Sequence, residues 1–139
     1  MLLTRNQTNG EDWYTLPGGG QEKFATLEEA VQRECMEETG YAIRVLDLLF
    51  VRAYISNHHA FAATEPDVHQ IELMFRCELA SGKGNAKISV PDSSQVGVAW
   101  VKISELESIA LYPKVLARHI LKLRSGAESP KYWGDVNET

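Results

Sequence analysis

Five stretches of the chain carry the apolar and polar pattern of β-strands. They cover residues 1–5, 13–16, 42–55, 68–79 and 95–101. The first two flank a polar segment that contains Asn9-Gly10, a dipeptide typical of tight turns between strands. Residues 68–79 alternate regularly, and Glu72 falls on the face that we expect to point away from the core. The predicted core face consists of His69, Ile71, Leu73, Phe75, Cys77 and Leu79.

Helical signals separate these strands. Thr26 followed by Glu29 forms a capping box, and Gly40 suits the left-handed position that follows a helix, so a helix is predicted from about residue 27 to residue 39. A second helix is predicted after Pro113, because Leu116, Ile120 and Leu123 recur at helical spacing. This succession of strands and helices predicts the α/β class.

The first predicted helix becomes acidic on its core side. At about 100° per residue, the arc that faces the core holds Leu27, Ala30, Val31, Glu34 and Glu38. Glu37 lies at the edge of that arc. Like charges repel at this spacing, and the negative end of the helix dipole disfavours carboxylates. A hard cation such as Mg²⁺ resolves the conflict. A solvated acidic helix end is the alternative, and the helix alone leaves both open.

A glycine turn precedes this helix. Residues 16–20 read Leu-Pro-Gly-Gly-Gly, and consecutive glycines allow close approach of the backbone to a ligand or to another element. From Gly19 to Tyr41 the chain resembles the Nudix box, G-x5-E-x7-R-E-U-x-E-E-x-G-U, in which U is a bulky apolar residue. The second half of the box reads Arg33-Glu34-Cys35-Met36-Glu37-Glu38-Thr39-Gly40-Tyr41.

The chain departs from the box at one clear position. Ala25 stands where the family has its first Glu, which helps to orient or supplement the metal site. Phe24 stands where many members have a small turn residue. Glu22, in the same loop, is a candidate substitute for the missing carboxylate.

The resemblance implies a fold and a reaction. The fold is a Nudix-like α/β/α sandwich, with a mixed β-sheet between helices. The reaction is Mg²⁺-dependent hydrolysis of a pyrophosphate bond, with Mn²⁺ as an alternative metal. The substrate would be a nucleoside diphosphate linked to another moiety, of the ADP-ribose or sugar-nucleotide type, or a nucleoside triphosphate. The alternatives are a non-catalytic Nudix-like module that binds a nucleotide and regulates another process, and an unrelated α/β domain with an acidic helix.

The resemblance also implies roles for individual residues. Glu34, Glu37 and Glu38 would be the metal ligands, and Arg33 would orient a carboxylate by charge-assisted hydrogen bonds. One of these acids, or Glu72 outside the box, would act as the base. Gly19 and Gly20 would let the turn pack against the helix and leave room for the phosphates of the substrate.

Composition narrows the context. The 139 residues suit one domain, predicted at residues 1–124 and followed by a polar C-terminal tail at residues 125–139. A net charge of −5 argues against generic binding to a nucleic-acid backbone. Cys35 and Cys77 do not form a disulfide framework or a zinc motif, which favours reduced thiols in a cytoplasmic protein. The longest apolar run is too short to span a bilayer.

Three features bear on partners and on substrate contacts. Nudix domains usually have a further strand before the first one here, so we expect a homodimer that covers the exposed edge, or a sequence that begins late. In the tail, Tyr132 and Trp133 are expected to dock on the domain or on a partner. Trp13, Tyr54 and Phe61 could stack on a base, although core packing is favoured for each.

Overall fold

The computed structural model describes residues 1–59, 63, 67–80 and 94–136. The strands are β1 (Leu2–Thr8), β2 (Glu11–Thr15), β3 (Ile43–Ile55), β4 (His69–Leu79), β5 (Gln95–Trp100) and β6 (Tyr132–Asp135). The α-helices are α1 (Leu27–Thr39) and α2 (Val115–Ser125), and short 3₁₀ turns occupy Ser56–His58 and Ile103–Ser108. Most of the loop at residues 60–66, which includes Phe61, and all of residues 81–93 lie outside the described part.

The described strands form two three-stranded sheets. The first has the order β2-β1-β5 and is antiparallel throughout. Asn9 and Gly10 join β1 to β2 with φ values of 52° and 79°, the two positive values that a type I′ hairpin needs. The second sheet has the order β4-β3-β6; β3 pairs antiparallel with β4 and parallel with β6, so this sheet is mixed.

The two α-helices lie on opposite faces of the second sheet. Phe50 pairs with Met74 across β3 and β4, and its ring lies 5.7 Å from the ring of His119 on α2. Cys77 is three residues beyond Met74 and therefore points to the other face. Burial, and secondarily the nearby Cys35 of α1, raise the pKa of the Cys77 thiol to about 11. The α/β/α sandwich is thus confirmed.

The inward face of β4 changes along the strand, which corrects one prediction. His69, Ile71 and Leu73 were expected in the core but are exposed, Ile71 and Leu73 by 67% and 38%, whereas Met74 of the other face is buried. Phe75, Cys77 and Leu79 are partly buried, as expected. The reason is that α2 covers one face of the sheet near Met74, while α1 covers the opposite face further along β4.

Part of the predicted C-terminal tail belongs to the sheet. Within residues 125–139, the segment Tyr132–Asp135 forms β6 beside β3. The Trp133 ring stacks on that of His119 at 4.2 Å and lies 4.8 Å from that of Phe50. Trp133 therefore docks on the domain, as expected, whereas the Tyr132 side chain is 63% exposed.

The main core lies between α2 and the two sheets. It consists of Leu3, Phe50, Met74, Leu106, Leu111, Leu116 and Ala117. Leu123, predicted on the apolar stripe of α2, is instead 43% exposed near the end of the helix. None of the described helices is long and apolar enough to cross a membrane.

Candidate active site

Helix α1 begins and ends where the sequence predicts. The Thr26 hydroxyl accepts a hydrogen bond from the Glu29 N–H at 3.1 Å, which caps the first turn. Gly40 ends the helix in a left-handed conformation with φ of 74°, and its N–H donates to the Met36 carbonyl. The last turn holds no basic residue. Both ends are therefore fixed locally, and the acidic turn is held in place by the helix itself.

The acidic side chains in the second half of α1 are buried or partly buried. Glu38 is 6% exposed and lies with Ala30, Cys35 and Thr39 on the buried side of the helix. The side chains of Glu34 and Glu37 are 15% and 30% exposed. The predicted change from apolar to acidic along the core-facing arc is thus observed. Carboxylates at such depth need polar or charged partners.

The glycine turn supplies a partner for Glu38. The Gly18 N–H donates to Glu38 Oε2 at 2.9 Å. From the other side, the Gln95 side-chain amide donates to the Glu38 backbone carbonyl at 2.7 Å. Glu38 thus joins the turn to the helix through its buried carboxylate, and β5 to the helix through its backbone carbonyl. The sequence pattern gave no signal for Gln95, because its contact depends on how β5 lies against α1.

Gly19 lies directly beneath the carboxylate of Glu34. A Cβ atom on residue 19 would lie 2.5 Å from the Glu34 Cδ and Oε1 atoms and 2.7 Å from Oε2. A side chain there would force the Glu34 carboxylate to move, so glycine lets the turn approach the helix with this carboxylate in place. Gly20 has open space at the corresponding position, and its backbone carbonyl is the part that makes a contact.

Arg33 is the common partner of three neighbouring carboxylates. Its Nη2 atom lies 3.0 Å from Glu34 Oε1 and donates to the Gly20 carbonyl at 2.9 Å. Its Nη1 atom lies 3.1 Å from Glu37 Oε2 and 3.6 Å from Glu22 Oε1. Burial opposes the charge, but Glu34, Glu22 and Glu37 outweigh burial and raise the pKa of the guanidinium. Arg33 therefore brings two box carboxylates, Glu22 and the glycine turn together.

The loop around Ala25 is tightly bonded without a carboxylate at residue 25. The Gln21 side-chain amide donates to the Ala25 carbonyl at 2.7 Å, and the Ala25 N–H donates to the Glu22 carbonyl at 3.1 Å. This arrangement turns the Glu22 side chain toward Arg33. Glu22, the candidate substitute for the missing Glu, is thus connected to Glu34 and Glu37 through Arg33.

Glu72 lies in a separate ion pair. Its two carboxylate oxygens accept from Nε and Nη2 of Arg52, at 2.6 and 2.9 Å, and Oε1 also accepts from the Gln70 side chain. Arg52 is buried and also donates to the Val136 carbonyl beyond β6. Within the described part of the chain, the partners of Glu72 are therefore on β3 and β4, away from the Arg33 network.

The donor set suits a hard divalent cation. Carboxylate oxygens are the ligands that Mg²⁺ prefers, and Glu34 and Glu37 already converge on one guanidinium. Among the described residues, however, no group of three or more His, Cys, Asp or Glu side chains is arranged to hold a metal ion. In this arrangement Arg33 is ion-paired with both Glu34 and Glu37, while Glu38 is turned to the Gly18 amide.

The aromatic residues considered for base stacking are engaged elsewhere. Tyr54 is buried, and its ring stacks on His59 at 5.5 Å. The Trp13 ring meets that of Tyr112 edge-on at 6.2 Å, and its indole N–H donates to the Thr8 hydroxyl. Both contacts favour packing roles. Phe61 lies outside the described residues.

A comparison with known families decides the identity. The model of the NUDIX domain matches residues 1–122. The chain belongs to the Nudix family. A relative from Caenorhabditis elegans, putative nudix hydrolase 1, is 31% identical over 96 residues, which are 69% of this chain and 22% of that protein. The nucleoside triphosphatase NudI of Salmonella newport is 32% identical over 120 residues, covering 80% of this chain and 75% of the relative.

Solved structures share the Nudix fold. A UDP-X diphosphatase superposes with a TM-score of 0.64 at 23% identity, covering 96% of this chain and 60% of that one. An ADP-ribose pyrophosphatase from Streptococcus suis gives 0.59 at 20% identity, covering 96% and 87%. The predictions of the family and of the fold are confirmed. Membership of the family also supports the prediction of an enzyme, a Nudix-type pyrophosphohydrolase acting on phosphorus anhydrides.

Proposed function

We propose that this Nudix domain hydrolyses a pyrophosphate bond in a nucleotide derivative, with Mg²⁺ as the metal and Mn²⁺ as a possible replacement. The observation that carries the proposal is the contact between Gly19 and Glu34. It joins the glycine turn to the acidic helix so closely that a phosphate chain lying along the turn would meet the carboxylates of α1.

The side chains of this site have different proposed roles. Bound Mg²⁺ would neutralise the phosphate oxygens and lower the pKa of a coordinated water. Glu34, Glu37 and Glu38 are the residues that would hold it. Arg33 keeps Glu34 and Glu37 together before a metal binds, since both accept from its guanidinium. Arg33 also donates to the Gly20 carbonyl, so its guanidinium lies at the turn along which the substrate phosphates would lie.

The acidic residues differ in how well they suit the role of general base. Glu34 lies against Gly19 and Glu37 is held near it by Arg33, and both are partly exposed, which suits a residue that must accept a proton from water. Glu38 is buried and bonded to the Gly18 N–H, which suits a fixed ligand. We therefore favour Glu34 or Glu37 over Glu72, whose two oxygens are both taken by Arg52.

The relatives indicate the general class of the substrate. The names of the similar proteins mention nucleoside triphosphates, UDP derivatives and ADP-ribose. These ligands share a nucleoside joined to a chain of two or more phosphates. We propose a nucleoside diphosphate linked to another moiety, or a nucleoside triphosphate, as the substrate of this chain.

Turnover on a substrate panel tests the proposal. The protein is incubated with Mg²⁺ and ADP-ribose, UDP-sugars or nucleoside triphosphates, and the phosphorylated products are separated by chromatography. We expect metal-dependent products from at least one substrate. Replacing Glu37 or Glu38 by Gln should lower kcat by about 100-fold or more, the scale reported for losing a positioned catalytic or charge-stabilising group. Equal turnover by wild type and both variants would contradict the proposal.

The alternative is a nucleotide-binding regulatory module. Ala25 at the position of the first box Glu, and the lack of a three-ligand group among the described side chains, are the observations that favour it. Its signature is binding without turnover. If calorimetry detects binding of a nucleotide from the panel, and no product forms with Mg²⁺ or Mn²⁺, the regulatory role is the better description.

A further inference from the structure

Phe24 combines two unfavourable features at one residue. Its side chain is 93% exposed, although burial of an aromatic ring would be favourable. Its backbone adopts φ of 70°, in the left-handed region that bulky residues rarely occupy. Glycine would remove both costs. Residues held in sparsely populated conformations tend to cluster at ligand clamps and active sites.

The loop does not use the Phe24 ring to hold its shape. Hydrogen bonds from Gln21 to Ala25 and from Ala25 to Glu22 enclose residue 24, and the Thr26 cap fixes the following turn. Among the described residues, the contact of the ring is with Lys23, whose Nζ lies 5.0 Å from the ring centroid. The surrounding bonds therefore impose the backbone conformation, and the ring is free to serve another purpose.

The position of Phe24 relates it to the candidate active site. Glu22, two residues earlier, lies 3.6 Å from Arg33, and Gly20 accepts a hydrogen bond from the same arginine. Two residues of extended chain span at most about 7 Å. The aromatic ring and the Lys23 ammonium thus stand at the rim of the Arg33 network, on the same loop that carries Gly19.

We propose that Phe24 is the stacking platform for the nucleobase of the ligand, with Lys23 as a cation for its phosphates. This inference rests on the proposed function, because it places the phosphates at the glycine turn. An exposed ring offers a flat face to any base, and a neighbouring cation complements a charged phosphate chain. A single ring is too small for a protein-docking patch of several hundred Å², which favours a nucleotide over a protein partner.

Binding without turnover provides the test. Dissociation constants of ADP, UDP and inorganic pyrophosphate are measured by calorimetry for the wild type, Phe24→Ala and Phe24→Trp. We expect Phe24→Ala to weaken ADP and UDP binding by about tenfold, within the range known for base stacking. Pyrophosphate binding should not change, because it has no base. Phe24→Trp should retain nucleotide binding, since it keeps an aromatic face.

Two further variants separate stacking from structure. Phe24→Asn suits the left-handed conformation, so its Tm should equal or exceed that of the wild type while nucleotide binding weakens as in Phe24→Ala. Leu46→Ala removes another exposed apolar side chain, on β3, and should leave all dissociation constants unchanged. Wild-type nucleotide affinity in Phe24→Ala, or a parallel loss of pyrophosphate binding, would overturn the inference.

The outcomes also separate this inference from the proposed function. Nucleotide binding that depends on Phe24 in a protein without turnover would sustain the stacking role and refute the hydrolase. Turnover with nucleotide KM values that are equal in wild type and Phe24→Ala would sustain the hydrolase and refute the stacking role. If neither ADP nor pyrophosphate binds and no product forms, both are refuted.

Discussion

The carboxylate of Glu34 fills the space that a side chain on residue 19 would need. A Cβ atom there would lie 2.5 Å from the nearest Glu34 atoms. The preference for glycine at residue 19 is therefore set by an acidic side chain fifteen positions later in the sequence. The contact between Gly19 and Glu34 thus links the geometry of the loop to the position of a predicted metal ligand.

Gly19→Ala should impair activity more than stability. The atoms that a new Cβ would meet are at the end of a flexible Glu34 side chain, which can move aside at a cost of about 1 kcal/mol. The displaced carboxylate would be misplaced by an ångström or more, a shift that can reduce kcat on the order of 100-fold. Tm measurements and initial rates at saturating Mg²⁺ check both parts.

Gly18→Ala is the matched control for this variant. A Cβ on residue 18 meets nothing within 4 Å, and the backbone N–H that donates to Glu38 is retained. We expect Gly18→Ala to lose less than about threefold in rate, since no reacting group moves. Equal losses in the two variants would argue that flexibility of the turn, and not the Glu34 contact, requires the glycines.

Ala25→Glu should strengthen the binding of Mg²⁺. The family has its first box Glu at this position, and residue 25 is bonded through its backbone atoms alone, so the substitution preserves the loop. An added carboxylate near the metal ligands should lower the Mg²⁺ concentration for half-maximal activity by about tenfold, equivalent to roughly 1.4 kcal/mol. Activity is measured against Mg²⁺ concentration. Unchanged rate and Mg²⁺ dependence would mean that Glu22 and Arg33 already compensate.

Glu72→Gln should destabilise the fold without abolishing hydrolysis. Glu72 is the counter-charge of the buried Arg52, and the neutral amide leaves that guanidinium without a negative partner. Loss of a charged hydrogen-bonding partner costs about 1–3 kcal/mol in the free energy of unfolding. Denaturant unfolding and kcat are compared with the wild type. A large fall in kcat with unchanged stability would instead identify Glu72 as the base.

The helix and the candidate site could be predicted because their signals are local. Thr26, Glu29 and Gly40 fix the limits of α1 within the helix itself, and the inward acids follow from its periodicity. The whole Nudix box is one contiguous segment, so its spacing survives as a sequence pattern. Partners such as Gln95 depend on how distant elements pack, and nothing near Gln95 in the sequence indicates its contact with Glu38.

The exposure of β4 and the strand at the C-terminus could not be predicted in the same way. Alternation gives the two faces of β4, but the helix that covers each end decides which face is buried, as Ile71 and Met74 illustrate. β6 is four residues long, contains Gly134, and pairs in parallel with a strand about 80 residues earlier. Short parallel strands leave little periodicity to recognise.

The attachment of β6 should depend on pH through Asp135. Asp135 accepts hydrogen bonds from His59 at 2.8 Å and from the Ile55 N–H at 2.9 Å, and its other oxygen lies 2.6 Å from His58 Nδ1. The bond to His59, followed by those to His58 and Ile55, holds the pKa of this carboxyl well below its usual range despite opposing desolvation.

The sign of the effect follows from this direction. A depressed folded-state pKa stabilises the fold above the unfolded value of about 3.9, and the contribution is lost as pH falls toward the folded-state value. Asp135→Asn should therefore lower Tm clearly at pH 5 to 7, with the difference from wild type shrinking below about pH 4. Thermal unfolding across this range measures it, with Glu11→Gln as the control for removing an exposed carboxylate. A difference in Tm that is as large at pH 3 as at pH 6 would mean that the charge of Asp135 does not hold β6 on the sheet.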